Sequence, residues 1–287
     1  MAAETLDGRA VARTMRQEIA DAVEQWVGEE GQPPTLAIVQ VGADPASDRY
    51  VRAIERGFTN VGMHVRRVAL AADATQERMA ESLEQLNDDD DVQGIIVQLP
   101  LPSHIKEPVL QKLSPVKDVD GIHPLNAGLL LQRSKEALVP ATPLGAIELL
   151  RRYDIGIEGK HAVLVGRSRI VGLPMALLLL HRHATVTVCH TRTSDLAKVT
   201  RSADILAVAA GRAGMITPDM VRPGAVVIDF GINFANGEMV GDVDKQVAEV
   251  AGYMTPVPGG AGPMTNIMLM RNTLQAAERQ REARQQA

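Results

Sequence analysis

Short apolar runs alternate with amphipathic stretches along most of the chain. Residues 36–41 (LAIVQV) read as a buried strand, 47–60 as a helix and 65–70 as a second strand. A helix follows over 75–86, with Asp73 or Thr75 as its N-cap, and a third strand over 92–98 runs into LPLP at 99–102. The acidic run 87–91 between them reads as a solvated loop. A second series opens at Thr142-Pro143, where Thr suits an N-cap and Pro the first helical position. It predicts a helix to about Tyr153, a strand at 161–166, a helix from about 172, and strands at 185–190, 204–209 and 225–230. Residues 265–283 read as a last helix with a polar, charged tail. Strands alternating with helices predict an α/β fold with parallel sheets and right-handed crossovers. The boundary between two domains falls near residue 140, and the final helix is expected to return to the first domain.

Composition sharpens this picture. Hydrophobic residues make up 45% of the 287, but aromatics only 2%, so the cores must be built from Val, Leu, Ile, Ala and Met. Those residues suit parallel sheets covered on both faces. The net charge of −5 gives no long-range pull toward nucleic acid or an anionic membrane, so neither is an expected partner. The first residues, MAAETLDGRAV, lack the apolar core of a signal peptide, and no apolar run reaches membrane-spanning length. Cys189 is the only cysteine, which rules out an intrachain disulfide and fits a reducing, cytoplasmic setting.

The segment HAVLVGRSRIVGLPMALLLL carries the first candidate chemistry. It reads as a strand, a tight turn and a helix, with Gly166 ending the strand and Gly172 opening the helix. Gly166 permits a turn that a Cβ would hinder, and free N–H groups at the helix start favour a pyrophosphate. Ser168 and Ile170 fall between the glycines, so this is not the standard G-x-G-x-x-G. NAD-selective sites often place a carboxylate at the end of the next strand. Here the sequence is His190-Thr191-Arg192-Thr193, with no acid, and Arg167 sits in the glycine turn. Two arginines and several hydroxyls suit a 2′-phosphate, which favours NADP. The competing reading makes both arginines ordinary surface charges.

Five segments together resemble one family: VGADPASDRYV at 41–51, QGIIVQLPLP at 93–102, KDVDGIHPLNAG at 117–128, GRSRIVGLP at 166–174 and TPVPGGAGPMT at 255–265. The chain is similar to the bifunctional methylenetetrahydrofolate dehydrogenase/methenyltetrahydrofolate cyclohydrolases over nearly its whole length. The resemblance implies a folate-binding catalytic domain of residues 1–140 plus 264–287, a Rossmann-like, doubly wound NADP domain of residues 141–263, and a cleft between them. It implies tetrahydrofolate one-carbon derivatives as substrates and a homodimer formed through the cofactor domain. It gives Tyr50 a place on the folate, Gln98 a role in positioning the reacting group with Leu99 beside it, and Asp120 the pterin's amino and ring nitrogens. Pro258, Gly259, Gly260 and Pro263 would lie by substrate and nicotinamide. Gly166, Arg167, Ser168, Ile170, Gly172, Thr191, Arg192, Gly211 and Ile232 would line the cofactor.

One position departs from the family in a way that touches chemistry. The family pattern is Tyr-Val-x-x-Lys, with the Lys as general acid/base. Here the stretch is Tyr50-Val51-Arg52-Ala53-Ile54. Residues four apart share a helix face, so position 54 is expected to point at the substrate. Arg52 and Arg56 lie about 200° around the helix, and a guanidinium is a poor base. Hydride transfer depends mainly on alignment of donor and acceptor, whereas hydrolysis of the methenyl product needs an activated water. The expectation is a dehydrogenase whose cyclohydrolase activity is lost or very weak. Three readings of Ile54 stand side by side: a substitution introduced into a normal bifunctional enzyme, a paralogue tuned to another carrier or direction, and a protein that binds folate and NADP without turnover. Smaller departures are Ala141, Phe230, Ala261 and Asn266, all read as packing variation.

His181, His183 and His190 invite a metal reading, but no Cys or carboxylate completes a ligand set and no metal is expected. Ser168 has no partnered base, so a hydrolase triad finds no support.

Overall fold

A computed structural model describes residues 2–42, 45–235 and 237–286. Ala43 and Asp44 of the first family-like segment lie outside the described residues. In chain order the elements are β1 (Glu4–Thr5), α1 (Gly8–Glu30), β2 (Thr35–Val41), α2 (Pro45–Thr59), β3 (His64–Leu70), α3 (Gln76–Asn87) and β4 (Gly94–Val97). Then come α4 (Pro124–Leu131), α5 (Ala141–Arg152), β5 (His161–Val165), α6 (Gly172–Leu180), β6 (Thr185–Cys189), α7 (Leu196–Thr200), β7 (Ile205–Val208) and β8 (Val226–Asp229). The hairpin β9 (Asn233–Ala235) and β10 (Glu238–Val240), β11 (Tyr253–Met254) and α8 (Ala261–Gln286) complete the chain.

The chain divides into two compact units. One comprises Thr14–Ala141 and the segment from Asn266 onward; it is called here the α2 unit. Its parallel sheet has the order β3-β2-β4. All four residues of β4 are buried, and Val39, Val97, Leu83 and Leu113 share its core. The segment Lys117–Asp120 extends this sheet: Ile95 pairs in parallel with Asp118, and the Ile95 N–H donates to the Lys117 carbonyl at 2.7 Å. Thr75 caps α3, its hydroxyl accepting from the Arg78 N–H at 3.2 Å.

The other unit, the β5 unit, comprises Thr142–Thr265 and the segment up to Arg13. Its six-stranded sheet, β1-β11-β8-β7-β5-β6, is parallel throughout. β5 lies between β6 and β7, so the strand order reverses beside it, the place where doubly wound folds take ligands. Val163, Val165, Leu206, Val208 and Val227 fill its core.

Two expectations are corrected, and one helix is added to them. The segment up to Arg13 was assigned with the substrate domain; it belongs to the β5 unit because β1 pairs with β11. Thr142 does not cap a helix: α5 already includes Ala141, and the Thr142 hydroxyl meets the Thr265 hydroxyl at 3.0 Å. α1 was not anticipated, although Ala12, Met15, Ile19, Val23 and Trp26, all buried, recur at helical spacing. No helix of the described residues is long and apolar enough to cross a membrane.

Candidate active site

Tyr50 and Ile54 stand one turn apart on α2. Val51, Ile54 and Phe58 form the helix's buried stripe, and Ile54 is 0% exposed. Tyr50 beside it is 40% exposed. Arg52 and Arg56 point into solvent. The hydrocarbon at 54 is therefore fully covered, and neither neighbouring guanidinium shares its side of the helix.

Asp120 reaches the same region from the segment that extends the sheet. Ile95 pairs with Asp118, so Asp120 stands level with Val97, the last residue of β4. Among the described residues no hydrogen bond ends on its carboxylate. Burial, with the nearby Asp118 carboxylate adding to it, pushes its pKa up to about 7. Burial and the Asp120 charge also raise the Tyr50 hydroxyl, which stays protonated. Gln98 follows Val97, and its Nε2 donates to the Leu99 carbonyl at 2.9 Å. Leu99-Pro100 is cis.

Asp118 was not singled out from the sequence, yet it anchors this segment. Its carboxylate accepts from the Ile122 and His123 N–H groups at 3.1 and 2.8 Å and from Asn126 Nδ2 at 2.8 Å. The alternation in Asp118-Val119-Asp120 gives the two carboxylates different work: one is consumed inside the fold, the other is left open. Lys117 is engaged at another point of the same unit. Its Nζ donates to the Leu86 and Asp89 carbonyls at 3.1 and 2.7 Å, at the end of α3.

The β5 unit gathers the residues expected on the cofactor. Gly166 has φ +123°, and a Cβ there would strike the Ala209 carbonyl at the end of β7. A Cβ on Gly172 would strike the Gly166 carbonyl. The turn is thus as tight as backbone allows. The expectation of free N–H groups at the start of α6 is corrected: the Ser168 hydroxyl accepts from the Val171 and Gly172 N–H groups, each at 3.2 Å. The backbone N–H groups of Arg167, Ser168 and Ile170 make no bond to a described residue, so the turn rather than the helix end offers donors. Arg167 follows β5 and Arg192 follows the adjacent β6. Both are exposed, with no ion pair among the described residues. Thr191 is exposed between His190, whose N–H donates to the Thr193 hydroxyl at 2.9 Å, and Arg192.

At the end of β7 the Asp242 carboxylate receives the N–H groups of Ala210, Gly211 and Arg212 at 2.6, 2.8 and 2.8 Å. Asn233 Nδ2 adds a fourth bond at 2.9 Å. Asp229, at the end of β8, accepts from the Gly231, Asp242 and Val243 N–H groups. Burial outweighs those bonds and pushes its pKa up to about 6. This network fixes the turn that carries Ile232, itself exposed. A cavity of about 540 Å³ lies alongside, lined by Asp229, Gly241, Lys245, Thr255 and Val257. Pro258, Gly259, Gly260 and Pro263 also belong to this unit; the Gly259 carbonyl accepts from the Arg9 N–H at 3.2 Å, and the Gly260 N–H donates to the Pro256 carbonyl at 2.8 Å. Among the described residues no group of three or more His, Cys, Asp or Glu could hold a metal ion.

Residues 6–120 match the model of the tetrahydrofolate dehydrogenase/cyclohydrolase catalytic domain, and residues 140–281 that of its NAD(P)-binding domain. The chain belongs to the tetrahydrofolate dehydrogenase/cyclohydrolase family. The bifunctional protein FolD of Chloroflexus aurantiacus is 55% identical over 279 residues, covering 96% of this chain and 98% of that one. The family's bifunctional FolD structure from Campylobacter jejuni shares 42% identity at a TM-score of 0.95, over 97% of this chain and 100% of that one. The Trypanosoma brucei dehydrogenase–cyclohydrolase, solved with NADP cofactor and an inhibitor, shares 38% identity at a TM-score of 0.92, over 98% and 99%.

Proposed function

We propose that this enzyme oxidises 5,10-methylenetetrahydrofolate to the 5,10-methenyl form with NADP⁺ as hydride acceptor, and that its cyclohydrolase activity is lost or very weak. The observation that carries the reading is Ile54, a hydrocarbon with no exposed surface, at the position where the resemblance to the family implies an acid/base lysine. A hydrocarbon neither activates a water nor returns a proton, and general acid–base assistance typically contributes ~10²–10⁴-fold.

The remaining groups suit the redox half. The open Asp120 carboxylate would take the donor edge of the pterin through two hydrogen bonds. Tyr50, protonated and half exposed, offers a ring face and a hydroxyl to the same ligand. Gln98 and Leu99 follow β4 where the reacting group would be positioned. Arg167 and Arg192, on neighbouring strand ends without an acid between them, support NADP over NAD. NADP supplies the hydride acceptor; the protein's part is to hold the donor carbon in line with it.

The same reading makes the protein a cytoplasmic homodimer joined through its β5 unit. The lone cysteine and the exposed Phe234 on the β9–β10 hairpin of that unit support it.

The test is to mix the protein with methylenetetrahydrofolate and NADP⁺ and follow NADPH and methenyltetrahydrofolate together. Equal growth of both products is the expected result. NADPH without methenyl accumulation would return the enzyme to the bifunctional class. Tight binding of both ligands without turnover would mark a non-catalytic relative.

A further inference from the structure

The Asn266 carboxamide oxygen is buried and has no hydrogen-bond partner among the described residues. Such a group costs free energy unless something outside the protein satisfies it. Packing variation, the reading its sequence suggested, does not account for a polar atom placed where an apolar side chain would be free of that cost.

Its position follows from two contacts of α8. Thr273 packs on Gly94, the first residue of β4, and Gln280 Nε2 donates to the Gln93 carbonyl just before it. α8 therefore runs toward the starting edge of the sheet, and Asn266, seven residues before Thr273, lies ~10 Å toward the other edge. That is about three strand residues beyond Gly94, the level of Val97, Gln98 and Asp120. Met270 packs on α2: a Cβ on Gly57 would lie 2.6 Å from its Cε. α2 starts where β2 ends and so runs the same way as α8. One turn back from this contact on each helix brings Asn266 beside Ala53 and Ile54. On α8, position 266 points within about 40° of both 270 and 273, into the wedge between α2 and the end of β4.

We propose that Asn266 is a further catalytic residue, whose carboxamide oxygen lies against the one-carbon bridge of the bound folate and stabilises the cation left by hydride loss. The proposal rests on the dehydrogenase reading above. In that step a C–H bond of the methylene bridge breaks, both electrons leave with the hydrogen to reduce NADP⁺, and the positive charge spreads over N5, the bridge carbon and N10. A preoriented carbonyl dipole with its negative end on that charge favours the transition state over the neutral substrate. The covered hydrocarbon of Ile54 strengthens the effect by keeping the local dielectric low, and it places no ammonium beside the cation.

The test uses the full-length enzyme, Asn266→Leu and Asn266→Asp. For Asn266→Leu, kcat for methylenetetrahydrofolate oxidation falls about 10- to 100-fold while KM moves far less. Its preference for methenyltetrahydrofolate over tetrahydrofolate, measured by direct binding, falls by a similar factor. Its Tm does not fall, because an unpartnered buried oxygen has been removed. Asn266→Asp keeps the oxygen and retains or increases the binding preference. Unchanged kcat and unchanged preference in Asn266→Leu would overturn the proposal. If the parent binds both folates but does not turn over, the dehydrogenase reading fails alone, and the binding preference still decides the role of Asn266.

Discussion

The Asp242 carboxylate accepts the backbone N–H of Gly211 at 2.8 Å. With the neighbouring N–H groups of Ala210 and Arg212 on the same carboxylate, a side chain 30 to 32 residues further on fixes the loop after β7. Asp242→Ala strands three backbone donors and the Asn233 amide. The expected cost is about 3 kcal/mol of stability. KM for NADP⁺ rises about tenfold as the loop loses its preorganised shape, with KM for the folate unchanged. Thermal unfolding and steady-state kinetics check this, and an unaltered Tm and cofactor KM would sink it.

On the proposed reading, in which its carboxylate takes the pterin, Asp120 sets the acid limb of substrate binding. With its pKa near 7, the carboxylate that accepts the pterin donors is lost as pH falls through that value, and KM for methylenetetrahydrofolate climbs about tenfold per unit below it. Asp120→Asn has a high KM and no such pH dependence. Stability moves in the opposite sense. Because the folded value lies above the ordinary 3.8, folding takes up a proton between there and about 7, so the free protein loses stability as pH rises across that window. A pH series of Tm for parent and Asp120→Asn isolates this component; identical curves would refute it.

Ile54→Lys places an amine on α2. Because position 54 is wholly buried, the charged side chain lowers stability by about 2–4 kcal/mol and titrates well below an exposed lysine. Hydrolysis of methenyltetrahydrofolate rises at least ~10²-fold. Decay of methenyl absorbance measures it. A variant that folds, binds folate and gains no hydrolysis contradicts the assignment of Ile54.

Arg192→Ala removes a cation beside the expected 2′-phosphate. KM for NADP⁺ rises about tenfold or more while KM for NAD⁺ is unchanged. Equal effects on the two cofactors would show that Arg192 does not read the phosphate.

Much of the fold was legible because its signals are local. Val39, Val97, Val163 and Leu206 sit in apolar runs too short for helices, so a strand is what they can form, and Thr75 sits where its hydroxyl meets an N–H three residues on. The first helix was equally legible in the spacing of Ala12, Met15, Ile19, Val23 and Trp26. The site was only half legible. Asp120 stood out with its motif, but nothing local separates it from Asp118, whose partners Ile122, His123 and Asn126 are supplied by the turn it anchors. Ser168 was read among the cofactor residues; that its hydroxyl also accepts from the first N–H groups of α6 was not legible in the sequence.

The sequence alone determined the alternation of strands and helices, the tight turn at Gly166, the absence of an acid after β6 and the hydrocarbon at 54, because each is written within a few neighbouring residues. Tertiary structure decided that the N-terminal strand joins the cofactor unit, that Asp242 holds Gly211, that Ile54 is sealed from solvent, and that the Asn266 carboxamide oxygen is buried with no hydrogen-bond partner among the described residues. Those facts depend on which distant segments share a hydrogen bond or a packed face, and the chain settles that only when its strands take their order in a sheet.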